Sequence, residues 1–183
     1  VVCVVLILLT VLKACLVMSF GTYLPFLLKQ FGFTVTQTGL IMTTFFIAGG
    51  LSMIFASQFE KRLKLKGLIV ASYFPLLPLV VSAVISLKHC PKIISAILFI
   101  LIGFFILLAA GAILAGAQRL IPNNTGTISG IIQGFTLAMG SLLLIPLGNF
   151  GQHFGVSWIL IFVSAVALFS ALFCLKSDLL NNE

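Results

Sequence analysis

Phe59-Glu60-Lys61-Arg62-Leu63-Lys64-Leu65-Lys66 holds one of the three acidic residues of this 183-residue chain and four of its ten lysines and arginines. On either side lie apolar segments of about twenty residues, the length that crosses a bilayer as an α-helix. A short, strongly basic turn between two such segments reads as a cytoplasmic loop, because positively charged loops stay on the cytosolic side of a membrane. With this loop fixed inside the cell, every other segment acquires a direction.

Hydrophobic residues make up 61% of the chain and charged residues 7%, and the mean hydropathy is +1.31. A soluble domain carries roughly 25% charged residues, because water must wet its surface. Here lipid replaces water over most of the surface, which makes the chain a polytopic membrane protein. Its apolar runs are continuous and about twice as long as the roughly ten-residue alternating strands of a transmembrane barrel. The fold class is therefore all-α. A net charge of +7 would point to nucleic acid in a soluble protein. These basic residues sit at the ends of apolar segments, so membrane lipid is the expected partner and nucleic acid is not. Cys3, Cys15 and Cys174 lie in apolar segments and Cys90 in a short loop, with no CxxC pair. That pattern indicates no disulfide framework, no metal site and no cofactor. The chain opens at Val1 inside an apolar run, without the basic start of a signal peptide, and reads as a piece of a longer one.

A single bundle of six spans is expected, over 1–28, 38–58, 67–87, 93–118, 126–148 and 158–175. Gly21 and Pro25 mark a bend near the outer end of the first span, and Pro75 and Pro78 fall near the middle of the third. Turns are expected at 29–37, 88–92 and 149–157 on one side. On the other side stand the basic loop and Arg119 to Thr125, where Pro122-Asn123-Asn124 signals a turn. That second side carries six basic residues with Lys176 included, against Lys29, Lys88 and Lys92 opposite. Both ends are therefore cytoplasmic. Ala48, Ser52 and Ala56 in span two, and Gly126, Gly130 and Gly134 in span five, recur every four residues. Small residues at that spacing let another helix approach closely.

Few polar groups lie at bilayer depth. Lys13 is the most unusual, since an ammonium inside an apolar helix costs at least about 2.5 kcal/mol and usually faces a bundle interior or an aqueous cavity. Snorkelling to the cytoplasmic interface is the competing reading. Ser19, Thr22 and Tyr23 share a face further out, at least a quarter turn from Lys13 on a straight helix. Gln133 and Gln118 are groups that either contact a solute or join neighbouring helices. With eighteen phenylalanines in the chain, Phe104 and Phe105 read as packing rather than as a binding wall. No span contains Asp or Glu, and His89 and His153 lie in loops. An intramembrane hydrolase needs such groups at depth, so an enzyme is not expected, and a proton-carrying acid would have to lie outside this chain.

Six spans, cytoplasmic ends and a basic loop after the second span resemble one half of a major facilitator superfamily transporter. Ala56-Ser57-Gln58-Phe59-Glu60-Lys61-Arg62-Leu63-Lys64 resembles the family's loop signature Gly-x-x-x-Asp-Arg-x-Gly-Arg. Ala56, Glu60, Lys61 and Lys64 stand at its first glycine, acid, first base and last base, and Leu63 stands where the second glycine is expected. Gln118-Arg119-Leu120-Ile121-Pro122 with Gly126-Thr127-Ile128-Ser129-Gly130 is similar to the junction of the tenth and eleventh helices in bacterial drug-efflux members, the fosmidomycin-resistance type among them. Tyr23-Leu24-Pro25 and Thr36-Gln37-Thr38-Gly39 match the family's usual turn between first and second helices.

The resemblance implies the C-terminal half of a rocker-switch carrier, built of two inverted three-helix repeats. It moves a small organic solute, with efflux one direction, in a bacterial inner membrane. The N-terminal half is then the partner. Spans one and four face the cavity; the pathway candidates read from the residues are Lys13, Ser19, Thr22 and Tyr23 on span one and Gln133 on span five. Spans two and five meet the other half, and Glu60, Lys61, Arg62 and Lys64 act in a cytoplasmic gate. A loop that only fixes topology is the plain alternative for those four. A six-span homodimeric channel or carrier and a non-transporting scaffold are the other readings of the whole chain.

Overall fold

The computed structural model describes the backbone of residues 2–60, 65–120 and 125–176, with side chains over most of these but not over 109–120. Among the described residues, seven helices follow one another: α1 (Val2–Gln30), α2 (Val35–Glu60), α3 (Leu65–Tyr73), α4 (Leu76–His89), α5 (Lys92–Leu120), α6 (Thr125–Phe154) and α7 (Val156–Lys176). No strand occurs among the described residues. Among the described residues, four segments are long and apolar enough to cross a membrane: 10–30, 35–56, 70–89 and 133–154. Leu40, Ile97, Trp158 and Phe169 are more than half exposed. Large apolar side chains on the outer surface of long apolar helices belong against lipid, and the chain is an all-α membrane protein.

The helices end for local reasons. At the end of α1, Gly32 has φ +73°. Its N–H donates to the Lys29 carbonyl and that of Phe33 to the Leu28 carbonyl, the paired bonds of a Schellman motif. Phe33 and Leu28, both buried, supply the apolar contact that accompanies it. Thr34 and Gln37 then open α2 with a reciprocal capping box. The Gln37 N–H donates to Thr34 Oγ1 at 3.2 Å, and the Thr34 N–H to Gln37 Oε1 at 3.1 Å; two orphan donors are satisfied. Pro75 lacks an N–H and crowds the preceding turn. The third span accordingly breaks into α3 and α4, with Phe74 and Pro75 between them.

Sequence expectations need correction at the third span, which is two helices, at His89 and His153, which lie in α4 and α6 rather than in loops, and at the turn before α7. The sequence reading places a turn at 149–157. Instead α6 continues to Phe154, and the reversal occupies Gly155 alone, at φ +91°. The polar residues form an exposed last helical turn, and one residue in a left-handed conformation then suffices to reverse the chain.

Two side-by-side parallel pairs organise the bundle, α2 with α5 and α1 with α6. In the first, a Cβ added to Gly103 would lie 2.6 Å from the Phe45 carbonyl oxygen, and one added to Gly49 would lie 3.1 Å from the Gly103 carbonyl oxygen. Only glycine permits that approach. Phe20 of α1 stacks on Phe45 at 6.1 Å, and Phe150 of α6 meets Phe162 of α7 at 5.5 Å; these close the antiparallel hairpins. Phe20, Leu24, Phe45, Tyr73, Leu76, Phe99, Ile102 and Leu160 form the fully buried centre.

Candidate functional site

The five pathway candidates lie on α1 and α6. The two helices touch at Ala14 and Gly140, where an added Cβ on the glycine would stand 3.0 Å from the Ala14 carbonyl carbon. Nine residues further along α1, the Tyr23 hydroxyl donates to the Leu144 carbonyl oxygen at 3.0 Å. A Cβ on Gly148 would lie 3.3 Å from that hydroxyl, so the glycine leaves room for it. Pro25 and Pro146 sit inside α1 and α6, each two residues beyond this bond. Each proline removes one helical hydrogen bond, so both helices are weakened at the same level and tied together just beneath it.

Lys13 is half-buried, eleven residues after the Val2 start of α1, about 16.5 Å along the axis. Gln133 is exposed on α6, seven residues before Gly140 and hence on nearly the same helix face. Taking the Ala14–Gly140 contact as register, Lys13 and Gln133 differ in height by six residues, about 9 Å. Thr22 is exposed on α1, whereas Ser19 is fully buried with its hydroxyl 4.0 Å from Cys15 Sγ. Among the pathway candidates, then, Lys13, Thr22, Tyr23 and Gln133 retain accessible surface. Tyr23 ties two helices and Ser19 faces the interior.

Glu60 ends α2, but its side chain, the Gln118 side chain and all of Lys61, Arg62 and Lys64 lie outside the described residues. The two small-residue rows have different surroundings. Ser52 and Ala56 are buried and Ala48 is half-buried; Ala56 packs beside Leu108 of α5, with Phe104 and Phe105 next to them. Gly126, Gly130 and Gly134 are exposed, and an added Cβ at any of them would meet nothing within 4 Å.

A lysine assigned only to topology has a structural part. Lys92 Nζ donates to the Gly32 carbonyl oxygen and stands 5.0 Å from the centre of the Phe33 ring. The α1–α2 and α4–α5 turns are thereby fastened together, partly by a cation–π contact. The usable sequence signal was Gly32-Phe33 directly after a helix, which exposes a carbonyl and places an aromatic ring beside it.

Over 136 residues the chain is 27% identical to the fosmidomycin resistance protein of Escherichia coli (strain K12). The match covers 74% of this chain and 32% of that protein, so the chain corresponds to about a third of its relative's length. No family model matches the chain, and no solved structure matches it with significance. The similarity supports a membrane transporter, at a distance.

Proposed function

We propose that this chain is the C-terminal six-span bundle of a major-facilitator-type secondary transporter, moving a small organic solute by alternating access. The similarity to the fosmidomycin resistance protein carries the reading. Resistance in that relative's name fits export of a small organic compound. Two features of the bundle support it. The parallel pairs α1–α6 and α2–α5 are the pairings that two inverted three-helix repeats require. The exposed Gly126, Gly130 and Gly134 leave one flank of α6 open to close packing by the N-terminal half; a second copy of this chain is the other occupant that flank would admit.

On this reading the basic loop lies in the cytoplasm of a bacterial cell, and Glu60 with Lys61, Arg62 and Lys64 forms charge contacts between halves that break as they rock. Lys13 and Gln133 line the cytoplasmic half of the pathway, with Thr22 further out. A lone ammonium with no intramembrane acid beside it in the sequence favours anionic or neutral solutes over cations. The Tyr23–Leu144 bond closes the outer half of the α1–α6 pair, at the level where two prolines allow bending.

Flux of radiolabelled fosmidomycin and of other small anions through full-length protein in liposomes, with and without a proton gradient, tests the proposal. Gradient-dependent flux is expected, and Lys13→Met is expected to cut it at unchanged expression. Equal kinetics for that variant would leave Lys13 as a snorkelling residue. Absence of flux for every solute under every gradient would leave a scaffold.

A further inference from the structure

Between α1, α6 and α7 runs a groove of about 370 Å³, lined by ten residues without a charged side chain among them. Its floor is Cys15, Leu147, Val163 and Ala167, all nearly buried, and its lips are Leu143, Pro146 and Phe162, all exposed. The space has a local origin. Gly140 brings α6 against α1 at Ala14, and Gly151 brings α6 against Ile159 of α7. Between those two fixed points the floor offers Cys15 and Ala167, which are too small to fill the gap. The lining runs along α6 from Leu143 to Phe150, about 10 Å of helix axis, and reaches further inward at Leu12. All of these α1 and α6 residues lie within segments that cross the membrane, so the groove's long direction is that of the lipid tails.

We infer that this groove seats one acyl chain of a bilayer phospholipid. Its volume falls at the low end of small-molecule sites, which are otherwise marked by a few well-placed polar groups. Here the only polar function is a thiol already in contact with Ser19. A solute recognised by charge or hydrogen bonding finds no partner in such a groove, whereas an alkyl chain needs none. Leu143, Pro146 and Phe162 at the lips are exposed on apolar helices, a surface that suits hydrocarbon. Leaving the groove empty would forfeit dispersion contacts along its whole lining, and a tail lying parallel to it restores them without dehydrating any polar group. The seat does not depend on the transport reading, because it requires only that α1, α6 and α7 cross a bilayer.

A phosphatidylcholine carrying a diazirine halfway along one tail reports the occupant in liposomes of the full-length protein. After illumination, adducts are expected on Cys15, Leu147 or Val163 as well as on outward-facing Ile97 and Phe169. Ala167→Phe fills the floor and is expected to abolish the floor adducts while sparing those at Ile97 and Phe169. Should that variant not fold, Val166→Phe places the same ring on the half-exposed wall and is expected to give the same selective loss. Floor residues free of adducts in the unaltered protein, as when another helix covers the groove, would overturn the proposal. So would floor adducts that persist in a folded Val166→Phe protein, or that a small hydrophobic solute displaces at a concentration too low to disturb Ile97 and Phe169.

Discussion

At the scale of single residues, glycines in this bundle differ according to what stands opposite them. Gly103 faces the Phe45 backbone, which cannot step aside, whereas nothing lies within 4 Å of a Cβ added to the neighbouring Gly50. Gly103→Ala is therefore expected to destabilise the protein by about 1–3 kcal/mol, the usual cost of overpacking. Gly50→Ala is expected to be neutral or to stabilise by up to about 1 kcal/mol through helix propensity. Thermal unfolding of both variants in one detergent decides the matter, and equal midpoints would contradict the glycine-mediated crossing. Tyr23→Phe removes a single interhelical bond, worth about 0.6 kcal/mol on average in membranes. It is expected to shift the α1–α6 pair toward opening at its outer end by roughly threefold, read as faster thiol labelling of a cysteine introduced by Leu24→Cys. Neither glycine could be ranked from the sequence. Gly49, Gly50 and Gly103 look alike as letters, and only the placement of α5 against α2 tells them apart.

At the scale of elements, much was legible because lipid imposes a simple rule: a span must be long, apolar and helical. The helices over 35–60 and 92–120 follow from composition alone. The sequence reads a single third span over 67–87, with Pro75 and Pro78 near its middle, and the structure divides it at Phe74 and Pro75 into α3 and α4. The ends of helices were less legible, since the polar last turn of α6 looks like a loop in sequence and differs from one only in its backbone angles. Gly155 carries that reversal alone. Gly155→Ala is expected to cost about 1–2 kcal/mol, because an L-residue in the left-handed region brings its Cβ against the next carbonyl. The loss should appear as a lower unfolding midpoint, with faster amide exchange concentrated at the α6–α7 junction. Pro75→Ala restores a missing donor and is expected to slow amide exchange across 72–79 as α3 and α4 merge. An unchanged exchange pattern there would mean that tertiary packing, rather than proline, holds the break.

At the scale of the whole molecule, the topology has a native reporter. Cys90 is exposed in the α4–α5 turn, while Cys15 is buried on α1. A membrane-impermeant maleimide added to intact cells is expected to label Cys90 and to miss a cysteine introduced by Leu63→Cys; the reverse pattern would overturn the proposed orientation. The candidate site was only partly visible from sequence. Lys13 stood out by charge, but Tyr23 and Ser19 looked equivalent on one helical face, and only tertiary placement assigns one to a tie and the other to the interior. The pairing of α1 with α6 bears also on how the chain is made. More than a hundred residues separate Ala14 from Gly140, so the first helix must wait in the translocation machinery or in lipid while four further helices are synthesised before its neighbour arrives. A ribosome halted after Leu120 would release an orphan whose α1 flank has nothing to rest on. Pulse-chase of such a truncated chain should find it cleared by membrane proteolysis well before the finished protein.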